Sequence, residues 1–297
     1  MARSRSDYLV DAIIYVALLL FAFVTIYPLW NCVVISFNAG SDTARGGITF
    51  WPRQFTLENY QVVFRNEGIY RAFVVSVLRT VVGTALSIFF TAMLAYGLSK
   101  KVTGGKFYML LCVITMYFSG GLIPTYLLIR SLHMMNTFWV LVIPGMVSVF
   151  HMIVFRAFFL SLPSELEEAA KIDGCSNLGV FFRVVLPLSG PVLASLSLFT
   201  AVYHWNEWFS ASIYISDQKL YPLQTLLAQV INSNLMSEQL AQAGSATSVF
   251  MDKIRQSVTT KSLLMTTMVV ATLPIIAVYP FIQKHFAKGV MLGSLKE

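Results

Sequence analysis

Charge is scarce in this 297-residue sequence. Asp, Glu, Lys and Arg together make up 12% of it, where a soluble domain carries roughly a quarter. A large soluble core does not explain the deficit, because even big domains must cover their surface with polar groups. Cysteine is almost missing: Cys32, Cys112 and Cys175 are the only three, and none forms a C-x-x-C pair. Two of them lie inside apolar runs, so neither a disulfide framework nor a zinc site is expected, and Cys175 reads as a small filler after a turn. The four histidines, at 133, 151, 204 and 285, are scattered, and no H-E-x-x-H occurs. G-x-x-x-x-G-K-[ST] is missing too. Gly104-Gly105-Lys106 resembles its end, but Lys100 and Phe107 occupy its first and last positions, so no phosphate-cradling loop is expected. The net charge of +7 comes with no aromatic-basic patch, so nucleic acid is not an expected partner.

Apolar sequence is abundant, at 57% of residues. A membrane-spanning helix needs about 20 mainly apolar residues. Six stretches qualify: about 12–37, 72–99, 107–129, 137–155, 191–216 and 262–283. Within them the only charges are Arg79 in the second and Glu207 in the fifth. The expectation is an all-α membrane protein, a single domain over 1–297 with six transmembrane helices. Arg3 and Arg5 before the first run look like the start of a signal peptide. The run is too long for that and no clear small-residue cleavage site follows Trp30, so it is read as a retained span. Six spans put both termini on one side. Segments 1–7, 99–106, 156–183 and 284–297 hold 11 Lys and Arg in 57 residues, against 9 in 86 for 38–71, 130–136 and 217–261. The positive-inside rule then places both termini and the loop 161–189 in the cytoplasm, with the loop 217–261 outside.

The most charge-dense interior stretch is EEAAKIDGCSNLGVFFRVVLPL, from Glu167 to Leu188. Ser164-Glu165-Leu166-Glu167 fits a capping box. Glu165, Glu167 and Glu168 fill the first turns, where the helix dipole favours anions. Gly174 is expected to end this helix in the left-handed conformation. Ser176 or Asn177 would cap a second helix that stops near Pro187. Ala169 and Ala170 are small enough for a partner to approach closely, and the flanking carboxylates supply ion-pair acceptors. That is the make-up of a docking knob.

Glu168-Ala169-Ala170, three residues, Gly174, nine residues, then Val184-Val185-Leu186-Pro187 resembles the "EAA" cytoplasmic loop of ABC importer permeases, with Val184 where the family often has isoleucine. The six runs, the position of the loop between the fourth and fifth, and the long loop before the sixth resemble the smaller permease subunit of maltose-type carbohydrate importers over nearly the whole chain. YFSGGLIPTYLLIRSLHMMNT (117–137) and KGVMLGSLKE (288–297) resemble a subgroup associated with complex and acidic oligosaccharides. The second permease subunit of an alginate importer is the specific expectation. The resemblance implies a type I ABC importer permease fold in the bacterial cytoplasmic (inner) membrane. It implies a passive half-channel and no enzyme. The partners would be a homologous second permease, two copies of a cytoplasmic ATPase that uses ATP and Mg, and an extracytoplasmic solute-binding protein carrying the oligosaccharide; this chain would bind no cofactor. It further implies that Glu165, Glu167, Glu168, Ala169, Ala170, Asp173, Gly174 and Pro187 couple to the ATPase, with Glu167 to Gly174 seated in its groove. The tail 288–297 would reach toward the pore or the ATPases.

Ionisable residues inside spans are functional suspects, which singles out Arg79 and Glu207. Around Glu207, Tyr203, Trp205, Asn206 and Trp208 offer rings for apolar sugar faces and groups that read hydroxyls. The other reading is an interfacial aromatic belt, with Arg79 paired to a carboxylate of a partner subunit. A basic path suits an anionic sugar, and Glu207 opposes it unless paired. Arg156 reads as a snorkelling anchor. In the outer loop Leu223, Leu226, Leu227 and Val230 share a helical face suited to packing, and Asn232 to Thr247 reads as irregular. Against the importer stand a self-contained carrier or channel, which would need internal repeats that are not evident, and a membrane enzyme, for which no nucleophile-base or metal spacing is present.

Overall fold

The structure, a computed structural model, describes residues 5–43, 45–242 and 261–278. In chain order its main elements are α1 (Arg5–Ser36), α2 (Glu58–Arg65), α3 (Glu67–Ser99), α4 (Gly105–Tyr117), α5 (Leu122–Ser131), α6 (Val149–Ser161), α7 (Ser164–Ile172), α8 (Asn177–Leu188), α9 (Gly190–Asn206), α10 (Phe209–Tyr214), α11 (Leu223–Gln242) and α12 (Lys261–Val278). Among the described residues there is no strand; the one β contact is an isolated bridge between Asn38 and Phe55. The described residues form two compact units, one built from those up to 70 and those within 227–273, the other from 71–226 and those after 273.

In the first unit α1, beyond its first two turns with Arg5, Asp7 and Asp11, is apolar on every side and exposed along nearly all its length, as a helix surrounded by lipid or by partner helices must be. Its end is tied down by a polar hub. The Asn38 amide donates to Asp42 Oδ2 at 3.0 Å and Thr43 Oγ1 at 3.1 Å. The Asn59 amide, on α2, donates to the carbonyls of Ser36 (3.0 Å) and Asn38 (2.9 Å). Ser262 and Thr266 of α12 donate to Thr43 Oγ1 (3.0 Å) and the Ser36 carbonyl (3.4 Å). A buried irregular segment is tolerated here because side chains satisfy its backbone.

In the second unit α3, α6 and α8 meet around Tyr96, Phe155, Phe159, Val180, Phe181 and Val185. Here three of the expected spans differ from the sequence reading. α1, α3 and α12 are each long and apolar enough to cross a membrane unbroken; the other three candidates are bent pairs, 105–117 with 122–131, 138–145 with 149–161, and 177–188 with 190–206. The run 107–129 breaks between α4 and α5 with a bend of 113°. Gly121 there takes φ 88°, a conformation glycine adopts without strain, and Pro124 follows in the first turn of α5, where proline is tolerated. The run 137–155 opens as 3₁₀ turns around Pro144. It bends 52° and restarts at Ser148, whose Oγ accepts from the His151 amide (3.3 Å), carrying α6 to Ser161. The run 191–216 is helical only to Asn206 and resumes at Phe209. The expected irregular stretch 232–247 is helical as far as Gln242, since Leu, Met, Glu, Gln and Ala there are good helix formers; 243–247 and the tail 288–297 lie outside the described residues.

Candidate functional sites: the coupling hairpin and the break at Glu207

α7 begins at Ser164 itself, so Ser164 is not its N-cap and makes no capping bond. Glu167, expected to close a capping box, is engaged elsewhere: its carboxylate pairs with Lys100 just beyond the end of α3. Lys100 in turn lies 4.5 Å above the Tyr96 ring, a cation–π contact. Glu167 and Ala170 thus form the inner face of α7, and Ala170 packs against the core. The outer face, at helical spacing, is Glu165, Glu168, Ala169 and Ile172, all exposed. Ile172 is 86% exposed, high for a large aliphatic side chain on an otherwise charged helix.

Gly174 ends α7 as expected, at φ 82°. The Cys175 amide donates to the Ala170 carbonyl (2.9 Å) and the Gly174 amide to Lys171 (3.0 Å), the paired bonds of a Schellman turn. Asp173 and Cys175 flank the turn, with Asp173 exposed and Cys175 half-buried. Ser176 caps the next helix by accepting from the Gly179 amide at 3.2 Å, as anticipated. α8 then passes through a π segment, Phe181–Val185. It contains Pro187, ends against Ser189, whose hydroxyl donates to Val185 (2.6 Å), and turns by 84° into α9. Val180, Phe181 and Val185 are fully buried. α7 is therefore presented outward, while α8 is locked into the span core.

At the other site α9 stops at Glu207, whose backbone is extended (φ −74°, ψ 116°). Arg79, only 2% exposed, fills the break. Its Nε donates to the Leu141 carbonyl (3.2 Å), its Nη1 to the Glu207 carbonyl (2.5 Å), and its Nη2 pairs with Glu207 Oε2. Glu207 Oε1 accepts from the Ser210 amide at 2.7 Å, and the Trp208 carbonyl accepts from Thr225 at 3.0 Å. Backbone groups freed by the break are thereby satisfied at a depth where water cannot serve them. One turn earlier, His204 is 2% exposed and its ring lies where a Cβ on Gly83 would be, 2.7 Å away. Trp205 is buried edge-on against Phe73 at 5.9 Å.

The residues named from sequence around the break thus divide. Arg79, Trp205 and Glu207 turn inward and hold the helices together. Tyr203, Asn206 and Trp208 are exposed, and Tyr203 and Asn206 continue a face begun by exposed Phe199. Arg156 donates its Nε to the Leu98 carbonyl (2.9 Å), anchoring α6 to the last turn of α3. Sequence reasoning missed Lys100, Gly83 and the Leu141 carbonyl. A glycine one turn from a charge inside a span was the available signal for Gly83, because small residues mark close helix contacts. Among the described residues no His, Cys, Asp and Glu group is arranged to hold a metal.

With described residues that are mostly helical, apolar crossings interrupted by bends and by an ion-paired break, and one charged hairpin offered outward, the molecule has the make-up of a multi-pass membrane protein. The chain belongs to the family described as "Binding-protein-dependent transport system inner membrane component", whose profile matches residues 1–292. It is an ABC importer permease and not an enzyme. It is 42% identical over 290 residues to the polygalacturonan/rhamnogalacturonan transport system permease protein YtcP of Bacillus subtilis (strain 168), covering 97% of this chain and 98% of that one. It is 43% identical to protein LplC of the same strain, over 92% and 90% of the two chains. Among solved structures it is similar to a chain of a bacterial ABC transporter involved in the import of the acidic polysaccharide alginate, with a TM-score of 0.85 and 27% identity over 96% of this chain and 99% of that one.

Proposed function

We propose that the chain forms half of a translocation path for a uronate-bearing oligosaccharide and that α7 is where a separate ATPase delivers force. The observation that carries this is the two-faced α7. Glu167 and Ala170 bind it to the spans, while Glu165, Glu168, Ala169 and Ile172 are left uncovered on the other side. An exposed apolar tip rimmed by charge is what a docking helix offers to its partner. Pulling or tilting α7 would act on α3 through Lys100 and on α8 through the Gly174 turn, whose downstream residues Val180, Phe181 and Val185 lie in the span core. Asp173 and Pro187 bound that lever.

The remaining assembly follows as part of the same proposal: a single permease domain with both termini cytoplasmic, a homologous second permease beside it, and two ATPase copies that bind ATP and Mg. A solute-binding protein presents the sugar on the outer side. The uronate class is supported by the relatives, one named for polygalacturonan and rhamnogalacturonan and one structure tied to alginate. Alginate and pectic oligosaccharides are the two candidates. The exposed Tyr203, Asn206 and Trp208 face is offered as wall of the path, with Arg79, Trp205 and Glu207 as the framework that positions it. With Arg79 neutralised by Glu207, neither charge is free to repel or trap a carboxylated sugar.

The test of the docking assignment is co-purification. Ala169→Glu and Ile172→Asp variants, in the co-expressed complex, should lose the ATPase while keeping the second permease. Retention of ATPase by both variants at the normal ratio would sink it.

A further inference from the structure

Beside the coupling hairpin lies a feature outside the proposed docking face of α7. The α3–α4 turn, which carries the Gly104-Gly105-Lys106 stretch, and α6 enclose a cleft of about 470 Å³. Four cations line it: Lys100, Lys101, Lys106 and Arg156. Among the described residues no carboxylate does. Two of the cations are fixed in place, Lys100 by Glu167 and the Tyr96 ring and Arg156 by the Leu98 carbonyl. Among the described residues, Lys101 and Lys106 make no ion pair. The rest of the lining is aliphatic, with Met109, Leu110 and Val113 running up α4, and Leu110 is 57% exposed.

We infer that this cleft binds the headgroup of an anionic phospholipid, its phosphodiester between Lys101 and Lys106 and its acyl chain along α4. A soluble anion would need only the cations. The apolar strip rising from them, exposed Leu110 with half-buried Met109 and Val113 beside it, fits a molecule with a charged head and an apolar tail. Basic pockets between membrane helices on the cytoplasmic side are suited to such headgroups. The inference rests on the proposal that the α7 end of the chain faces the cytoplasm. It would also link lipid to the drive train, because Lys100 belongs both to the cleft and to the α7 tether.

The experiment uses the whole complex in mild detergent, titrated with dioleoylphosphatidylglycerol or dioleoylphosphatidylcholine, with bound lipid counted by native mass spectrometry. The expected result is phosphatidylglycerol binding about tenfold tighter than phosphatidylcholine, a preference lost in Lys101→Gln/Lys106→Gln, as expected when two basic residues attract one anionic headgroup. Equal binding of the two lipids, or a preference unchanged by the double variant, would overturn the site. Displacement of phosphatidylglycerol by millimolar inorganic phosphate would also overturn it, in favour of free phosphate. If the variant sheds the ATPase while keeping its lipid, the cleft is a protein contact and the inference fails. Sugar-stimulated ATP hydrolysis, read on the same preparation, reports on the importer proposal separately. A lysine-dependent lipid preference without that stimulation would leave the site standing and the proposed coupled uronate path refuted.

Discussion

Arg79 on α3 and Glu207 at the end of α9, 128 residues apart in sequence, form an ion pair in which the arginine also holds the Leu141 carbonyl. Three chain segments converge on one guanidinium. Removing one member of such a buried pair leaves an uncompensated charge, at a cost of about 3–5 kcal/mol, whereas replacing both by apolar residues is often nearly neutral. Arg79→Met and Glu207→Met should each sharply lower the thermal stability of the detergent-purified chain. The double substitution should recover much of the loss. Equal and additive losses in a double-mutant cycle would show that the two charges are not coupled.

Gly83 should not accept even one methyl group. Its Cβ would lie 2.7 Å from the ring of His204 on α9, which is 2% exposed and so has little room to withdraw. Gly83→Ala should cost about 1–3 kcal/mol by overpacking, and His204→Ala in the same chain should relieve it. Melting curves of the two single variants and the double read this directly; an unaltered Gly83→Ala curve would mean the ring moves aside at no cost.

At Gly174 no atom lies within 4 Å of an added Cβ, so the obstacle is the backbone alone, at φ 82°. A β-branched residue resists that conformation by roughly 1–2 kcal/mol, too little to unfold the chain and enough to shift the turn. Gly174→Val should therefore insert normally, bind the ATPase more weakly, and lose stimulated ATP hydrolysis and uptake. Normal uptake by a well-inserted variant would remove the turn from the coupling lever.

Much of this was legible beforehand. The Gly174 turn, the Ser176 cap and the two-helix hairpin could be read because each depends on local residue chemistry. The broken spans were legible only in part. Pro124 and Pro144 mark in the sequence the places where 107–129 and 137–155 lose their straight helix, because proline kinks or breaks a helix; hydropathy over 191–216, by contrast, is the same whether the helix runs on or stops at Glu207, and what holds that break is Arg79, far along the chain. The Ser164 cap failed for a related reason. Its expected acceptor-side partner, Glu167, gains more from Lys100, which sequence spacing does not place nearby.

Asp42, in the loop after α1, is held below the usual carboxylate range, first by the hydrogen bond from the Asn38 amide and then by Arg53, with desolvation opposing both. A carboxyl depressed in the folded state contributes stability that is complete above its unfolded pKa of about 4 and vanishes as pH falls through the folded value. Asp42→Asn should therefore flatten the loss of thermal stability below about pH 4 and leave its shape near neutrality unchanged. An acid limb identical to that of the parent would show that the hub does not depend on this charge.

The most direct measurement is ATP hydrolysis in proteoliposomes holding this chain with its second permease, ATPase and binding protein, challenged with oligogalacturonate, rhamnogalacturonan fragments, alginate oligosaccharides and neutral sugars of matched length. Stimulation by one or more of the uronate sugars, absent with the neutral ones and lost when Gly174→Val is introduced, is the expected result. Transport of solute by this chain alone, with no ATPase associated, would contradict it.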